Sequence, residues 1–283
     1  MSKKLLALYG LKWNPFTPDV PVEALRCTPP IETLCWRAEN LAREGGFALV
    51  SGETGFGKSS ALRIVNDRLS ALRDVRIAQL SRPQSGVADF YRELGDLFGV
   101  ALVPHNRWAG AKVLREKWQE QLDAALFRPV LLVDEAQEMH VEVLNEMRLL
   151  ASARLDSHPL LTVMLGGDQR LLLMLRSPAL APLQSRIRVR LVLERVSPQE
   201  LEASLCHALR AAGAPDLMTP ALITTVCEHA AGNLRTMMNL GAELLAAGAH
   251  TEARQLDEKL FFEAFSQPSP GPAQKAPTAA RRR

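Results

Sequence analysis

Cysteine is sparse in this sequence of 283 residues, and the cysteines that are present lie far apart. They share no C-x-x-C spacing and no paired Cys/His spacing; they are Cys27, Cys35, Cys206 and Cys227. This scatter argues against a zinc site and against a disulfide framework, since both need regularly spaced partners. Unpaired thiols are typical of a reducing compartment, so we predict a cytoplasmic protein.

Long apolar runs are also missing. The longest, such as 160–165 and 171–175, are far shorter than the roughly 20 residues that cross a bilayer. Lys3 and Lys4 open the chain, but Tyr9 and Gly10 interrupt the apolar residues behind them before a signal-peptide core can form. We therefore predict no membrane segment and no membrane partner. The net charge of +3 is too small to decide whether the chain binds nucleic acid.

Short apolar runs alternate with amphipathic patterns through the first two thirds of the chain. The strand-like runs are 47–50, 75–80, 130–133, 160–165 and 188–193. The helical patterns are 31–41, a segment after Lys58, 87–97, 114–122 and 143–150. Strands that alternate with helices indicate a parallel sheet with helices on both faces. The predicted fold class is α/β, with a five-stranded parallel sheet of the P-loop type.

The remaining chain has only helical spacing. Ser197-Pro198-Gln199-Glu200 is a capping box, Thr219-Pro220 starts a second helix that Gly232 ends, and 234–247 and 257–265 complete a small helical lid. Pro and aromatic residues in 9–16 predict an irregular segment packed on the domain that follows. The predicted divisions are an N-terminal wrap (1–30), a core (31–195), a lid (196–265) and a disordered basic tail (266–283).

The first motif with chemical content is G-E-T-G-F-G-K-S, which matches the phosphate-loop pattern G-x-x-x-x-G-K-[ST]. It follows a predicted strand and precedes a predicted helix, so a chance glycine-rich turn is the weaker explanation. Backbone N–H groups and a helix N-terminus then face the phosphates of ATP, Lys58 reaches the β- and γ-phosphates, and Ser59 holds Mg²⁺. The predicted nucleotide-binding residues are Gly52, Glu53, Thr54, Gly55, Phe56, Gly57, Lys58, Ser59, Ser60 and Asp134.

The second motif is a run of four apolar residues, 130–133, which predicts a buried strand and is followed by two carboxylates, Asp134 and Glu135. Asp134 is predicted to order the Mg²⁺ shell, and Glu135 to polarise the attacking water. The alternative is that acidic residues merely favour a following helix N-terminus. A complete phosphate loop upstream makes the catalytic interpretation the stronger one.

Taken in order, these motifs resemble AAA+ ATPases, nearest the ExeA/TniB-type branch that includes transposition helper ATPases such as TniB, TnsC and MuB. The resemblance covers about residues 5 to 265. The stretches that carry it are 9–16, 52–59, 134–137, 184–187 and 232–235.

The resemblance implies roles for two arginines. Arg186 resembles the arginine finger that one AAA+ subunit inserts into the site of its neighbour, which would make hydrolysis depend on assembly. The alternative is that Arg186, Arg188 and Arg190 form only a solvated basic edge that guards against strand pairing. Arg235 resembles the sensor-2 arginine that contacts the γ-phosphate, and its alternative is an exposed residue at a helix start.

One position departs from the family pattern. A polar residue, often Asn, follows the fourth strand in AAA+ ATPases, whereas residues 165–169 read L-G-G-D-Q. Asp168 or Gln169 could take that role, but a carboxylate near phosphates is electrostatically unfavourable unless it holds water or metal. We therefore expect slow hydrolysis.

The resemblance implies competing biological roles. In the first, ATP drives a ring or filament on double-stranded DNA that recruits a transposase. Arg82, Arg107 and Lys112 are its candidate phosphate contacts, although ordinary surface charge is the stronger explanation for each of them. In the second, the chain assembles a secretion complex, as the longer ExeA proteins do. The sequence ends soon after the lid, which favours the first role. A third role is a nucleotide switch that holds a protein partner.

Overall fold

Secondary structure was described for residues 3–100, 107–154 and 157–265 of a computed structural model; the predicted tail at 266–283 lies outside this range. The strands are β1 (Gly46–Gly52), β2 (Val75–Gln79), β3 (Arg128–Val133), β4 (Ser152–Ala153), β5 (His158–Pro159), β6 (Thr162–Gly167) and β7 (Ile187–Leu193). The helices are α1 (Lys3–Tyr9), α2 (Pro29–Glu44), α3 (Lys58–Ser70), α4 (Val87–Phe98), α5 (Arg107–Asp123), α6 (Val141–Leu150), α7 (Gln169–Leu175), α8 (Ala181–Gln184), α9 (Pro198–Ala211), α10 (Pro220–Ala230), α11 (Leu234–His250) and α12 (Glu258–Phe265).

The main sheet has five parallel strands in the order β2-β3-β6-β1-β7. All five predicted strands are present, which confirms the predicted fold class. The largest shift is at β6, which begins and ends two residues later than the predicted run 160–165. Gly166 and Gly167, which follow the predicted run, pair with Val50 and Ser51 of β1. A tiny antiparallel pair, β4 and β5, was not predicted.

Helices cover both faces of the sheet because alternate strand residues point to opposite sides. Phe47 and Leu49 of β1 belong to a core shared with α4, α5 and α6. Ala48 and Val50, their neighbours in sequence, belong to a second core with α2 and α3. The central strands β1, β3 and β6 are therefore mostly apolar, as expected for parallel strands buried on both faces, whereas the edge strands β2 and β7 carry exposed residues such as Arg76 and Arg188.

The helices α9 to α12 form a third core that contains Leu201, Leu205, Leu222 and Leu244. The two predicted caps are present. The Ser197 hydroxyl accepts from the Glu200 N–H at 3.2 Å, and the Glu200 carboxylate accepts from the Ser197 N–H. The Thr219 hydroxyl accepts from the Leu222 N–H at 3.2 Å. These four helices make up the predicted helical lid.

Residues 5–16 pack on this lid, and the residues that follow them reach the core, where Arg63 of α3 donates to the oxygens of Pro18 and Val20. Leu5, Leu11 and Phe16 are buried in the lid core. The Phe16 ring lies so close to Gly241 of α11 that a Cβ there would be 2.4 Å from a ring carbon. The apolar stripe of the lid helices needs a cover, and this segment provides it. Among the described residues, no helix combines the length and apolar character needed to cross a bilayer.

Candidate nucleotide site

The phosphate loop joins β1 to α3 and depends on glycine at three places. Gly55 and Gly57 have φ angles of 88° and 93°, which side chains with a Cβ rarely adopt. At Gly52, a Cβ would lie 2.6 Å from the backbone oxygen of Leu193 in β7. The helix α3 begins at Lys58, so its unpaired N-terminal N–H groups face the space enclosed by the loop.

Lys58 is buried, with 5% of its surface exposed. Its ammonium donates to the carbonyl oxygens of Gly52 at 3.0 Å and Glu53 at 3.1 Å. An ammonium group has three N–H bonds, so these two carbonyls leave one for a further acceptor. The loop itself thus holds the cation at the place where phosphate oxygens are predicted to bind.

Asp134 and Glu135 lie at the same edge of the sheet as the phosphate loop. β6 separates β3 from β1, and Val133, Leu165 and Leu49 are aligned across the three strands. Two strand spacings amount to about 10 Å, and parallel strands end at a common edge. The structure therefore brings the predicted phosphate loop and the predicted acidic pair to one cleft.

The turn after β3 holds Glu135 in an unusual backbone conformation. Its φ is 51°, in the left-handed region that non-glycine residues enter rarely. The Asp134 carboxylate stabilises this turn, because its Oδ1 accepts from the Glu135 N–H at 2.9 Å. The side chain of Glu135 is exposed to the cleft, whereas Asp134 is half-buried.

Gln137 contacts Glu135, and the sequence analysis assigned it no role. It is 7% exposed, and its Nε2 donates to the Glu135 carboxylate, while its Oε1 accepts from the Asp168 N–H at 3.2 Å. The only sequence signal was its place in the stretch 134–137 that carries the family resemblance. A polar residue two positions after a catalytic acid is too common to be singled out without its contacts.

Asp168 does not point into the cleft as a free carboxylate. It caps α7, accepting from the Arg170 N–H at 2.8 Å and from the Arg170 guanidinium at 3.0 Å. Burial opposes its ionisation, but the hydrogen bonds from Arg170, aided by the charges of Arg170 and Lys58, lower the pKa of Asp168 overall. Arg170 thereby offsets the unfavourable charge that the sequence led us to expect near the phosphates.

The lid touches the phosphate loop through the start of α11. The Asn233 amide donates to the Thr54 oxygen at 3.0 Å, and the Arg235 N–H donates to the Gly55 oxygen at 3.3 Å. The Asn233 side chain fills the space where a Cβ of Gly55 would be, 2.2 Å from its Oδ1. The backbone of Arg235 therefore contacts the phosphate loop, and its side chain is exposed.

Arg186 lies at the other end of the sheet. Because Phe47 pairs with Ile187 and Gly52 with Leu193, Arg186 precedes the start of β7 while the phosphate loop follows the end of β1. The length of β7 separates them by about 20 Å. Arg186 also donates to the Pro182 oxygen at 2.6 Å. Its position does not allow a contact with the phosphate loop of its own chain.

The candidate DNA contacts lie in the loop after β2 and on α5. Arg82 is exposed in the loop after β2, and Lys112 pairs with Glu116 within α5 at 3.6 Å. The side chain of Arg107, at the start of α5, lies outside the described residues. The roles of these positions stay predictions.

The residues present fit a magnesium-bound nucleoside triphosphate. The glycine conformations, the α3 N-terminus and the remaining N–H of Lys58 suit phosphate oxygens. Ser59 is exposed in the first turn of α3, and Asp134 lies across the cleft from it. A hydroxyl and one carboxylate are a usual protein contribution to Mg²⁺, whose other ligands are phosphate oxygens and water.

The sheet order, the phosphate loop and the lid together define a class: this chain has the AAA+ P-loop ATPase fold. Residues 41–175, slightly less than half of the chain, match the family model described as AAA domain.

Among curated proteins, the chain is similar to General secretion pathway protein A of Aeromonas hydrophila, with 34% identity over 200 residues. The alignment covers 69% of this chain and 36% of the relative, so the chain spans much less than the full length of that protein.

Among solved structures, Cdc6p from Pyrobaculum aerophilum is similar with a TM-score of 0.73 and 13% identity, over 88% of this chain and 69% of that chain. The Aeropyrum pernix ORC1 protein in complex with DNA is similar with a TM-score of 0.66 and 16% identity, over 89% of this chain and 68% of that chain. At these identities the likeness concerns the fold.

Proposed function

We propose that the chain binds and hydrolyses ATP in the cleft between the phosphate loop and the acidic pair, and that hydrolysis depends on self-assembly. The observation that carries the proposal is the register of the sheet. It puts Lys58, Asp134 and Glu135 at one edge and Arg186 at the opposite edge. Head-to-tail contact between copies would bring Arg186 of one subunit against the phosphate loop and acidic pair of the next.

Each residue then has a defined part. Lys58 and the α3 N-terminus bind the phosphates, and Glu135 accepts the proton of the attacking water as the bond between that water and the γ-phosphorus forms and the bond to ADP breaks. Bound Mg²⁺, held through Ser59 and Asp134, would neutralise phosphate charge. Arg186 of a neighbouring subunit would stabilise the transition state.

Substitution of Lys58 and Glu135 tests the site. Lys58→Ala removes the buried cation and is expected to abolish ATP binding, because no other lysine belongs to the loop. Glu135→Gln is expected to bind ATP normally, to slow turnover by about 10²- to 10⁴-fold and to trap an ATP-bound oligomer. Equilibrium binding of a fluorescent ATP analogue, phosphate release and light scattering report the three properties.

Lys259→Ala is the matched control, because Lys259 is 82% exposed on α12 and forms only a surface pair with Glu263. It should behave as the wild type. Unchanged nucleotide affinity in Lys58→Ala would remove the central assignment, and normal turnover in Glu135→Gln would show that another residue activates the water.

As the biological role, we propose that the ATP-bound oligomer forms on double-stranded DNA. The support is the fold likeness to a DNA-bound ORC1 protein, together with the resemblance to transposition helpers. Recruitment of a transposase rests on that resemblance alone.

The relative named General secretion pathway protein A favours a second candidate, in which the same ATPase cycle assembles a secretion complex. The third role noted from the sequence, a nucleotide switch that holds a protein partner, requires only the ATP cycle itself.

DNA binding separates these roles. If DNA is the ligand, binding should require ATP, and the logarithm of the affinity should fall linearly with the logarithm of salt concentration. Fluorescence anisotropy of a labelled duplex, with ATP and with ADP at several salt concentrations, measures both. Lys58→Ala serves as the control without nucleotide. Absence of an ATP-dependent complex at low salt would favour a protein partner.

A further inference from the structure

We propose that Gln137 is a positioning residue for hydrolysis, which orients the Glu135 carboxylate and ties it to the end of β6. The inference rests on the proposed function, since it needs Glu135 as the group that activates water. It starts from a buried carboxamide that bridges two turns at the edge of the sheet.

The orientation of this carboxamide is set by its partners. A backbone N–H can only donate, so the Asp168 N–H, 3.2 Å away, must face the oxygen of Gln137. The amide nitrogen then faces Glu135, whose ionised carboxylate can only accept. Reversal of the amide would put two donors together on one side and two acceptors on the other, so only one arrangement satisfies both contacts.

The end of β6 is shaped to admit this side chain. At Gly167, a Cβ would lie 3.0 Å from the Gln137 oxygen and 2.5 Å from a methyl carbon of Leu171. Any other residue at this position would crowd the bridge. The absence of a side chain at Gly167 therefore gives Gln137 its path to the Asp168 N–H.

A second link joins the same two turns. Glu138, the residue after Gln137, pairs with Arg170 at 2.9 Å, and Arg170 in turn pairs with Asp168. The turn after β3 and the turn after β6 are thus connected by one buried and one exposed contact. Of the two, only the contact through Gln137 reaches Glu135.

This bridge determines what the carboxylate can do. Gln137 occupies Oε2 of Glu135, and Asp134 fixes the backbone beneath it, so Oε1 is the oxygen oriented to accept the proton of an attacking water. Without the amide, the exposed Glu135 side chain can rotate between several rotamers. Misplacement of a catalytic group by about 1 Å can cost a factor of about 10² in rate.

Two substitutions at Gln137 test the proposal. Gln137→Met keeps the length and burial of the side chain but removes the donor, and Gln137→Glu keeps the shape but replaces the donor by an acceptor at pH 8. Gln137→Met should bind a fluorescent ATP analogue within about twofold of the wild type, whereas single-turnover hydrolysis should slow by about 10- to 100-fold in both variants. Gln199→Met, at an exposed position of α9, is the control and should hydrolyse ATP normally.

A double substitution separates positioning from a general structural effect. If Gln137 acts through Glu135, then Glu135→Gln combined with Gln137→Met should hydrolyse ATP at the rate of Glu135→Gln alone. A further loss in the double variant, or a loss of ATP affinity in both single variants at Gln137, would overturn the proposal. Wild-type hydrolysis in Gln137→Met, with Glu135→Gln inactive, would also overturn the proposal. In that case the proposed function would still stand. Wild-type hydrolysis in Glu135→Gln would instead remove the proposed role of Glu135, and this inference with it.

Discussion

At the scale of single residues, the carboxylates around the cleft have different partners and so different uses. Asp134 accepts from the backbone, Glu135 is held by an amide, and Asp168 is paired with a guanidinium. Only Glu135 combines exposure to the cleft with a fixed orientation. Their hydrogen bonds thus distinguish these three acids from one another.

The charge of Asp168 should contribute to stability in a pH-dependent manner. Its pKa is lower in the folded chain than the ordinary value of 3.8, so its contribution is present above about pH 4 and is lost as the pH falls through the folded pKa. Asp168→Asn, which keeps a capping oxygen, should cost about 0.5 kcal/mol at pH 7, since Arg170 is mostly exposed. Urea unfolding at pH 7, 5 and 3 measures this. An equal difference at all three pH values would contradict the expectation.

At the scale of elements, the start of α11 and the phosphate loop form one unit. Asn233→Asp keeps the cap on α11, because a carboxylate oxygen can still accept from the Thr236 N–H, but it removes the donor to the Thr54 oxygen. The loop should then open more often. We expect faster amide hydrogen exchange in residues 52–59 and weaker ATP binding, by about tenfold if one hydrogen bond of about 1.4 kcal/mol is lost.

The matched control is Asn145→Asp. Asn145 makes the same kind of bond, from its amide to the Ala179 oxygen at 3.3 Å, but the bond joins α6 to the segment before α8 and not the lid to the loop. Exchange in residues 52–59 should not change in this variant. Equal exchange in the loop of both variants would show that the lid contact does not hold it.

The elements that were predicted from the sequence are those with local signals. Ser197 and Thr219 predict helix starts, and the glycines and Lys58 predict the phosphate loop. Both kinds of feature depend on residues close in sequence. The helix α7 was missed because its seven residues, mostly leucine, show no periodicity. Its buried leucines face the core, and the short run resembles a strand.

The parts that were not predicted depend on contacts between distant residues. Gln137 gained a role only when the turn after β3 was placed beside the turn after β6. Phe16 covers Gly241, more than two hundred residues away, and no local pattern encodes that pairing. The predicted strand ends at Leu165, whereas β6 continues through Gly166 and Gly167, where the absence of a side chain admits Leu62 and Gln137.

At the scale of the whole molecule, the opposite positions of the phosphate loop and Arg186 predict shared sites. Arg186→Ala should bind ATP but hydrolyse it about 10³- to 10⁵-fold more slowly, because the missing group acts in a neighbour. When this variant is mixed with Glu135→Gln, activity should return, since each Arg186→Ala site can receive the arginine of a Glu135→Gln neighbour. Phosphate release across mixing ratios measures the recovery.

Arg188→Ala is the control for this experiment. Arg188 lies on the same exposed face of β7 but pairs with Glu44 at 2.6 Å in its own chain. Its loss should leave turnover near the wild-type level. Full activity of Arg186→Ala alone would favour the alternative that Arg186 belongs only to a solvated basic edge. Lack of recovery in the mixture would exclude the insertion of Arg186 into a neighbouring site.

The packing of the N-terminal segment on the lid also has a consequence for biosynthesis. Leu5, Leu11 and Phe16 leave the ribosome well before their partners in α9 to α12 are translated. The sheet and its flanking helices can fold while synthesis continues, but the opening residues must wait, with their apolar side chains uncovered, until the end of α12 has emerged. During that interval this segment exposes apolar side chains, so it is the part of the nascent chain that we expect a chaperone to bind.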